Sequence, residues 1–186
     1  MRDSPLNPWQ GLTTEQVFAA PPWIQISRQK VRLPDGRTVD DYHQIVLPDH
    51  VIIVAQTAEK LVVLERMYKH GIGRVCLMLP AGGMDPGEDP LVTAKRELLE
   101  ETGYAADNWK CLGQFVCHAN YGCSTSHMYL AQNARRVAEP DAGDLEEIQI
   151  VLQNHREIAA AIRNGEIRSL GVMAALALVL NPVFVG

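Results

Sequence analysis

The sequence predicts an α/β protein built as a layered sandwich, and three observations carry that prediction. Short runs of β-branched and aliphatic residues alternate with helical segments along the chain. One helical segment, after Asp89, has both its start and its stop written in the residues. The chain has 186 residues, 47% of them apolar, enough to bury one substantial core.

From the N-terminus, Met1 to Gln10 holds Pro5 and Pro8 and no apolar run, so it reads as neither a signal peptide nor an anchor. Trp23 to Leu33 alternates in part, Asp35-Gly36 supplies a turn, and Thr38 to Leu47 resumes strand spacing, so a β-hairpin is expected. It belongs to an N-terminal extension over residues 1–48, ahead of a main domain over residues 49–186. Val51 to Ala55 and Leu61 to Leu64, separated by the polar Gln56 to Lys60, read as a second hairpin in the core. Gly71 to Gly87 is rich in glycine and proline and leads into the helix. There Asp89 caps, Pro90 takes the first helical position and Gly103 ends the helix. Leu91, Ala94, Leu98 and Thr102 share one side of it and face the core, while Thr93, Glu97, Glu100 and Glu101 gather on another. Beyond it, Leu112 to Val116, His127 to Ala131 and Ile148 to Leu152 read as strands, and His155 to Asn164 and Leu170 to Leu180 as helices.

Charge narrows the partners. With 17 basic against 22 acidic residues and a formal charge of −5, the chain has no general attraction for nucleic acid or an anionic membrane, and neither is expected. A phosphate-bearing ligand must be held locally, by metal ions or a few arginines. Cys76, Cys111, Cys117 and Cys123 show neither a CxxC pair nor a zinc spacing, which suits reduced thiols in the cytoplasm. Val172 to Leu180 is apolar but too short to span a bilayer, so it reads as a buried terminal helix.

The chemistry concentrates in the capped helix. Glu97, Glu100 and Glu101, at i, i+3 and i+4, project to one side and repel one another unless hard cations with oxygen ligands join them. Magnesium suits such a face, because it takes one or two protein carboxylates together with waters and substrate phosphates. Arg96 precedes Glu100 by four residues and can orient a carboxylate through paired hydrogen bonds. A solvated acidic face is the plain alternative for the triplet alone.

From Gly82 the chain reads G-x5-E-x7-R-E-L-x-E-E-x-G-Y, through Glu88, Arg96, Glu97, Leu98, Glu100, Glu101, Gly103 and Tyr104. This resembles the Nudix box at each fixed identity, with Tyr104 where the family usually has an aliphatic residue. The resemblance implies an α/β/α sandwich with a mixed sheet, here with an N-terminal β-hairpin extension. It also implies hydrolysis of a nucleoside diphosphate linked to a group X, with Mg²⁺ as cofactor and Mn²⁺ as a possible substitute. Glu97 and Glu101 then look like the principal metal ligands, Glu100 like a further ligand or proton acceptor, and Ala81 like the donor of a backbone carbonyl. Glu88 and Arg96 resemble the residues that tie loop to helix, and Arg96 is also a candidate member of the catalytic group. The acidic stretch Asp141 to Glu147 is where a mobile base or extra metal ligand is expected, with Glu146 first, then Asp144 and Glu147.

The likeness extends over roughly residues 23–180 and is nearest to ADP-ribose and nucleotide-sugar pyrophosphatases. It rests on Leu64-Glu65-Arg66-Met67-Tyr68-Lys69, Leu79-Pro80-Ala81-Gly82 and Gly165-Glu166-Ile167. It makes Arg66 a candidate phosphate ligand and implies a homodimer through the N-terminal hairpins. Met78 departs from it, standing where many relatives have glutamate, as does the loop from His118 to Ser126, which lacks their marker proline. Trp23 and Tyr121 are candidates to stack on a base. ADP-ribose or an ADP-sugar is the expected substrate. A GDP-sugar, NADH or dinucleoside polyphosphate, or a catalytically silent nucleotide sensor, stays open.

Overall fold

The computed structural model describes residues 6–141, 143, 147–181 and 183. The chain forms two compact units, residues 1–48 with 116–124 and residues 49–115 with 125–186.

In the first unit, β1 (Gln10–Ala20), β2 (Ile24–Arg32) and β3 (Thr38–Val46) make an antiparallel sheet in that order. The β2–β3 turn falls at Asp35-Gly36, where Gly36 has φ 88° and the Asp35 carboxylate accepts from the Arg37 N–H at 3.0 Å. This hairpin is the expected one. β1 has no counterpart among the expected strands. Almost all its side chains are exposed, so backbone pairing holds it and no period-two burial pattern marks it in the sequence. In the returning segment, Tyr121 accepts from the Ile45 N–H at 3.0 Å through its carbonyl, and the Tyr42 hydroxyl donates to the Asn120 carbonyl.

The larger sheet is built from β4 (His50–Gln56), β5 (Val62–Lys69), β6 (Arg74–Met78), β8 (Asn108–His118), β9 (Cys123–Gln132) and β11 (Gln149–Gln153). Its order is β11-β5-β4-β9-β8, with β6 also paired to β5, while β7 (Tyr104–Ala105) and β10 (Arg135–Arg136) form a separate pair. β4 and β9 run parallel from His50↔Ser126 to Gln56↔Gln132, and β5 is antiparallel to β6 and β11, so the sheet is mixed.

Alternation along β4 divides the core. Val51, Ile53 and Ala55 pack with Ala94 and Leu98 of α1 (Pro90–Thr102) on one face. Ile52 and Val54 pack on the other with Ile158 and Ala161 of α2 (His155–Arg163) and Val172, Ala175, Leu176 and Val179 of α3 (Leu170–Leu180). The result is an α/β/α sandwich, and a strand covered on both sides reads as a continuous apolar run, as β4 does. Asn154 and Glu157 form a reciprocal capping box at the start of α2, and Ser169 caps α3. Among the described residues, no helix is long and apolar enough to cross a membrane. No disulfide joins the four cysteines.

Two local differences from the sequence reading position the site. The β4–β5 hairpin pairs only beside its turn, at Gln56↔Val62, because residues 80–83 lie against β4 instead. The Ile53 N–H donates to the Pro80 carbonyl at 2.9 Å and the Val51 N–H to the Gly82 carbonyl at 3.0 Å. Within the glycine-rich stretch, Arg74–Met78 becomes a strand against β5. Pairing with a distant segment makes that strand, which is why local composition reads it as loop.

Candidate active site

α1 begins and ends on local chemistry. The Asp89 carboxylate accepts from the Leu91 N–H at 2.9 Å and the Val92 N–H at 3.2 Å, with Pro90 at the first helical position. Gly103 closes the helix at φ 73°, its N–H donating to the Leu99 carbonyl at 2.8 Å. Ala94 and Leu98, both fully buried, fix the rotation of the helix on the sheet and so fix where its acids emerge.

Arg96 lies at the centre of those acids. One terminal nitrogen, Nη1, donates to Glu97 at 2.6 Å and to Glu100 at 3.2 Å. Nε and Nη2 reach the Glu88 carboxylate at 3.4 and 3.3 Å, and Nη2 also donates to the Gly83 carbonyl at 3.4 Å. The planar fork thus joins the loop to the helix, a geometry that an ammonium group does not reproduce. Arg96 is held still more firmly protonated than a free guanidinium, first by Glu88 and then by the charge of Glu97. Glu88 is held below the usual carboxylate range by Arg96 first, then by hydrogen bonds from Thr93 and the Asp85 N–H.

Glu101 follows a different course from its neighbours. It sits on the acidic side of the helical wheel, yet it is 7% exposed and its Oε2 accepts from the Ala81 N–H at 2.9 Å. The carbonyls of Pro80 and Gly82 are taken by β4, and in an extended segment the intervening residue presents its N–H and C=O to the opposite edge. The Ala81 carbonyl therefore shares the edge that meets Glu101. Gly82 stands against Glu97 so closely that a Cβ there would collide with the Glu97 carboxylate. The Glu97 side chain is 12% exposed and that of Glu100 45%, so Glu100 is the one most open to solvent. Among the described residues, no three His, Cys, Asp or Glu side chains close into a shell around one point.

The other candidates distribute as follows. Arg66, on β5, pairs with Glu166 at 3.1 Å, which brings together two of the separated segments singled out in the sequence. Trp23 and Tyr121 belong to the first unit; both are exposed, and the Tyr121 ring lies 4.6 Å from that of His118. Glu147 is exposed, whereas Asp144 and Glu146 fall outside the described residues. Spacing passes over Glu65, which is 1% exposed on the face of β5 shared with Val63, and so toward α1. An acid inside the apolar run Val62 to Met67 is the signal that could have found it.

The comparisons place this sandwich and its acid-bearing helix among the pyrophosphohydrolases. The NUDIX domain family matches residues 47–169, and the chain belongs to that family. Residues 9–49 match the nucleoside diphosphate sugar hydrolase N-terminal domain. The chain is 32% identical to an ADP-ribose pyrophosphatase of Mycobacterium tuberculosis over 173 residues, 89% of this chain and 78% of that one. It is equally 32% identical over 146 residues to a methanol dehydrogenase activator of Bacillus methanolicus, covering 75% and 77% of the two chains. A crystal structure of an ADP compounds hydrolase superposes with a TM-score of 0.83 over 96% of this chain and 95% of that one; at 21% identity this speaks for the fold.

Proposed function

We propose that the protein hydrolyses the pyrophosphate bond of ADP-ribose or an ADP-sugar, with Mg²⁺ at the acidic face of α1. The observation that carries the metal reading is the gathering of acids around Arg96. One guanidinium binds three carboxylates, Glu88, Glu97 and Glu100, and Glu101 lies alongside on a backbone N–H. The donors of that face, four carboxylates and the edge of Ala81, are all oxygens, which fits a hard divalent cation. Nudix hydrolases in general need divalent metal ions. Glu97, Glu101 and the Ala81 carbonyl would hold the ion, with Glu100 beside it, and Mn²⁺ meets the same donors. When bound, such an ion neutralises diphosphate oxygens and lowers the pKa of a coordinated water.

The chain's own groups do the rest. Arg96 fixes Glu97 and Glu100, Gly82 leaves room for Glu97, and Ala81 holds Glu101. Proton removal from the attacking water falls to Glu100 or to a carboxylate of the 141–147 stretch, with Glu146 first. The N-terminal extension over residues 1–48 serves as a homodimer contact, and Trp23 and Tyr121 are candidate base-stacking groups. The adenine and ribose assignment is supported by the name of the Mycobacterium tuberculosis relative. A panel of ADP-ribose, ADP-sugars, GDP-mannose, NADH and diadenosine polyphosphates, assayed with Mg²⁺ and Mn²⁺ and read by product identity, tests it. AMP with ribose 5-phosphate from ADP-ribose is the expected outcome; faster turnover of a GDP-sugar, NADH or a dinucleoside polyphosphate would reassign the substrate, and no turnover of any would favour a silent sensor.

A further inference from the structure

The start of β4 is held from both sides. On one, the Asp49 carboxylate accepts from the Thr125 N–H at 2.6 Å, and His50 Nε2 lies 2.6 Å from the Ser126 hydroxyl. On the other, the Met84 N–H donates to the Asp49 carbonyl at 2.9 Å and the Val51 N–H to the Gly82 carbonyl at 3.0 Å, with Gly83 bridged to His50. We propose that His50, through its bond to Ser126, is a positioning residue of the hydrolytic site and makes that site sensitive to acid. It fixes the start of β4, and residues 82–84 hang on that start. This rests on the hydrolase reading above and adds a residue to it.

Strand geometry places the ring. His50 and Ser126 are the first pair of the parallel β4–β9 ladder, so their side chains stand on one face. Alternation makes it the face of Ile52 and Val54, which carries the apolar core under α2 and α3. Ser126 is 3% exposed and His50 is partly buried. A hydroxyl and a neutral imidazole satisfy one another there, whichever ring nitrogen carries the proton. A charged ring in the same place gives up water that the apolar face does not replace.

Burial is accordingly the first cause that holds His50 below the ordinary histidine pKa; Asp49 opposes it and His127 adds to it. Among the described residues these two are the titratable groups that face the ring, and Gly82, Gly83 and Met84 bring none. A histidine with a lowered folded pKa contributes fully to stability above the ordinary value and loses that contribution as pH falls toward the lowered one. Acidification below about pH 6.5 therefore loosens the start of β4. The effect reaches the acids of α1 directly, because Gly82 stands against the Glu97 carboxylate and the Ala81 N–H holds Glu101.

The test combines three measurements on wild type, His50→Ala and His50→Gln. They are the ring titration of His50 by NMR, melting without metal, and hydrolysis of ADP-ribose with Mg²⁺, each from about pH 7.5 to about pH 5. The His50 ring is expected to titrate below about pH 6.5. His50→Ala, which removes the bond to Ser126, is expected to lower kcat by roughly tenfold with KM within about twofold, since it moves metal-facing groups and no substrate contact. His50→Gln keeps a hydrogen-bonding side chain that never becomes charged. It is expected to return most of that loss and, below about pH 6.5, to fall less steeply than wild type in both melting temperature and kcat. A ring that titrates at or above that pH, or parallel curves for wild type and His50→Gln, would overturn the proposal, and both decide it even if His50→Ala fails to fold. Wild-type kcat in His50→Ala would overturn the positioning role. A wild type that hydrolyses no nucleoside diphosphate would overturn the hydrolase reading instead, while the titration and the melts would still decide whether His50 senses acid.

Discussion

Gly82 and the carboxylate of Glu97 are in such close approach that no side chain fits between them. The need for glycine here comes from that neighbour, since Gly82 is not among the glycines with positive φ. Gly82→Ala is therefore expected to displace the Glu97 carboxylate, the movable end of a flexible side chain, and to cost at least about a hundredfold in kcat with little change in melting temperature. Steady-state kinetics and a thermal melt on the same preparation check this. Retained turnover would show that Glu97 has room to move without consequence.

Arg96 holds two carboxylates of α1 and one from the loop with a single fork. Arg96→Lys keeps the charge but loses the paired geometry, so a fall in kcat of roughly tenfold to a hundredfold is expected even though net charge is unchanged. Activity within twofold of wild type would reduce Arg96 to a counter-charge.

Glu88 carries a pH dependence with a definite sign. Its folded pKa is depressed, chiefly by Arg96, so its contribution to stability is fully present above the ordinary glutamate value and is lost as pH falls through the depressed one. Melting temperature measured from pH 7 down to pH 3 should fall less steeply below about pH 4.5 in Glu88→Gln than in wild type. Parallel curves would contradict the assignment.

The homodimer is tested by sedimentation at micromolar concentration. The first unit leaves Val17, Phe18, Trp23 and Val46 exposed, and a dimer that covers them is the expected species. A fully active monomer would remove the shared contact.

How legible the protein was in its sequence depended on whether the determining interactions were local. α1 is legible to the residue, because Asp89, Pro90 and Gly103 act within a turn of it and the acids repeat at helical spacing. β6 is hidden, because Arg74 to Met78 becomes a strand only through β5, and β1 is hidden because its exposed side chains carry no alternation. In the site, the identities of Glu97, Glu100 and Glu101 could be read from spacing, but their different surroundings could not. The wheel places Glu101 among solvated acids, while the Ala81 N–H, twenty residues away, holds it in the interior. The Arg66–Glu166 pair spans a hundred residues, so it follows from the β5–β6 ladder and the α2–α3 connection rather than from any local pattern.

The central claim is that the acids of α1 carry a divalent ion that activates the hydrolysis of ADP-ribose. The direct measurement is product formation from ADP-ribose against Mg²⁺ concentration, for wild type and Glu101→Gln, followed by separation of AMP and ribose 5-phosphate. The account predicts no turnover by wild type in chelator and saturable activation by Mg²⁺. It further predicts a fall in kcat of several orders of magnitude in Glu101→Gln, with an unchanged circular dichroism spectrum. Near-wild-type turnover by Glu101→Gln with the same Mg²⁺ dependence would contradict it.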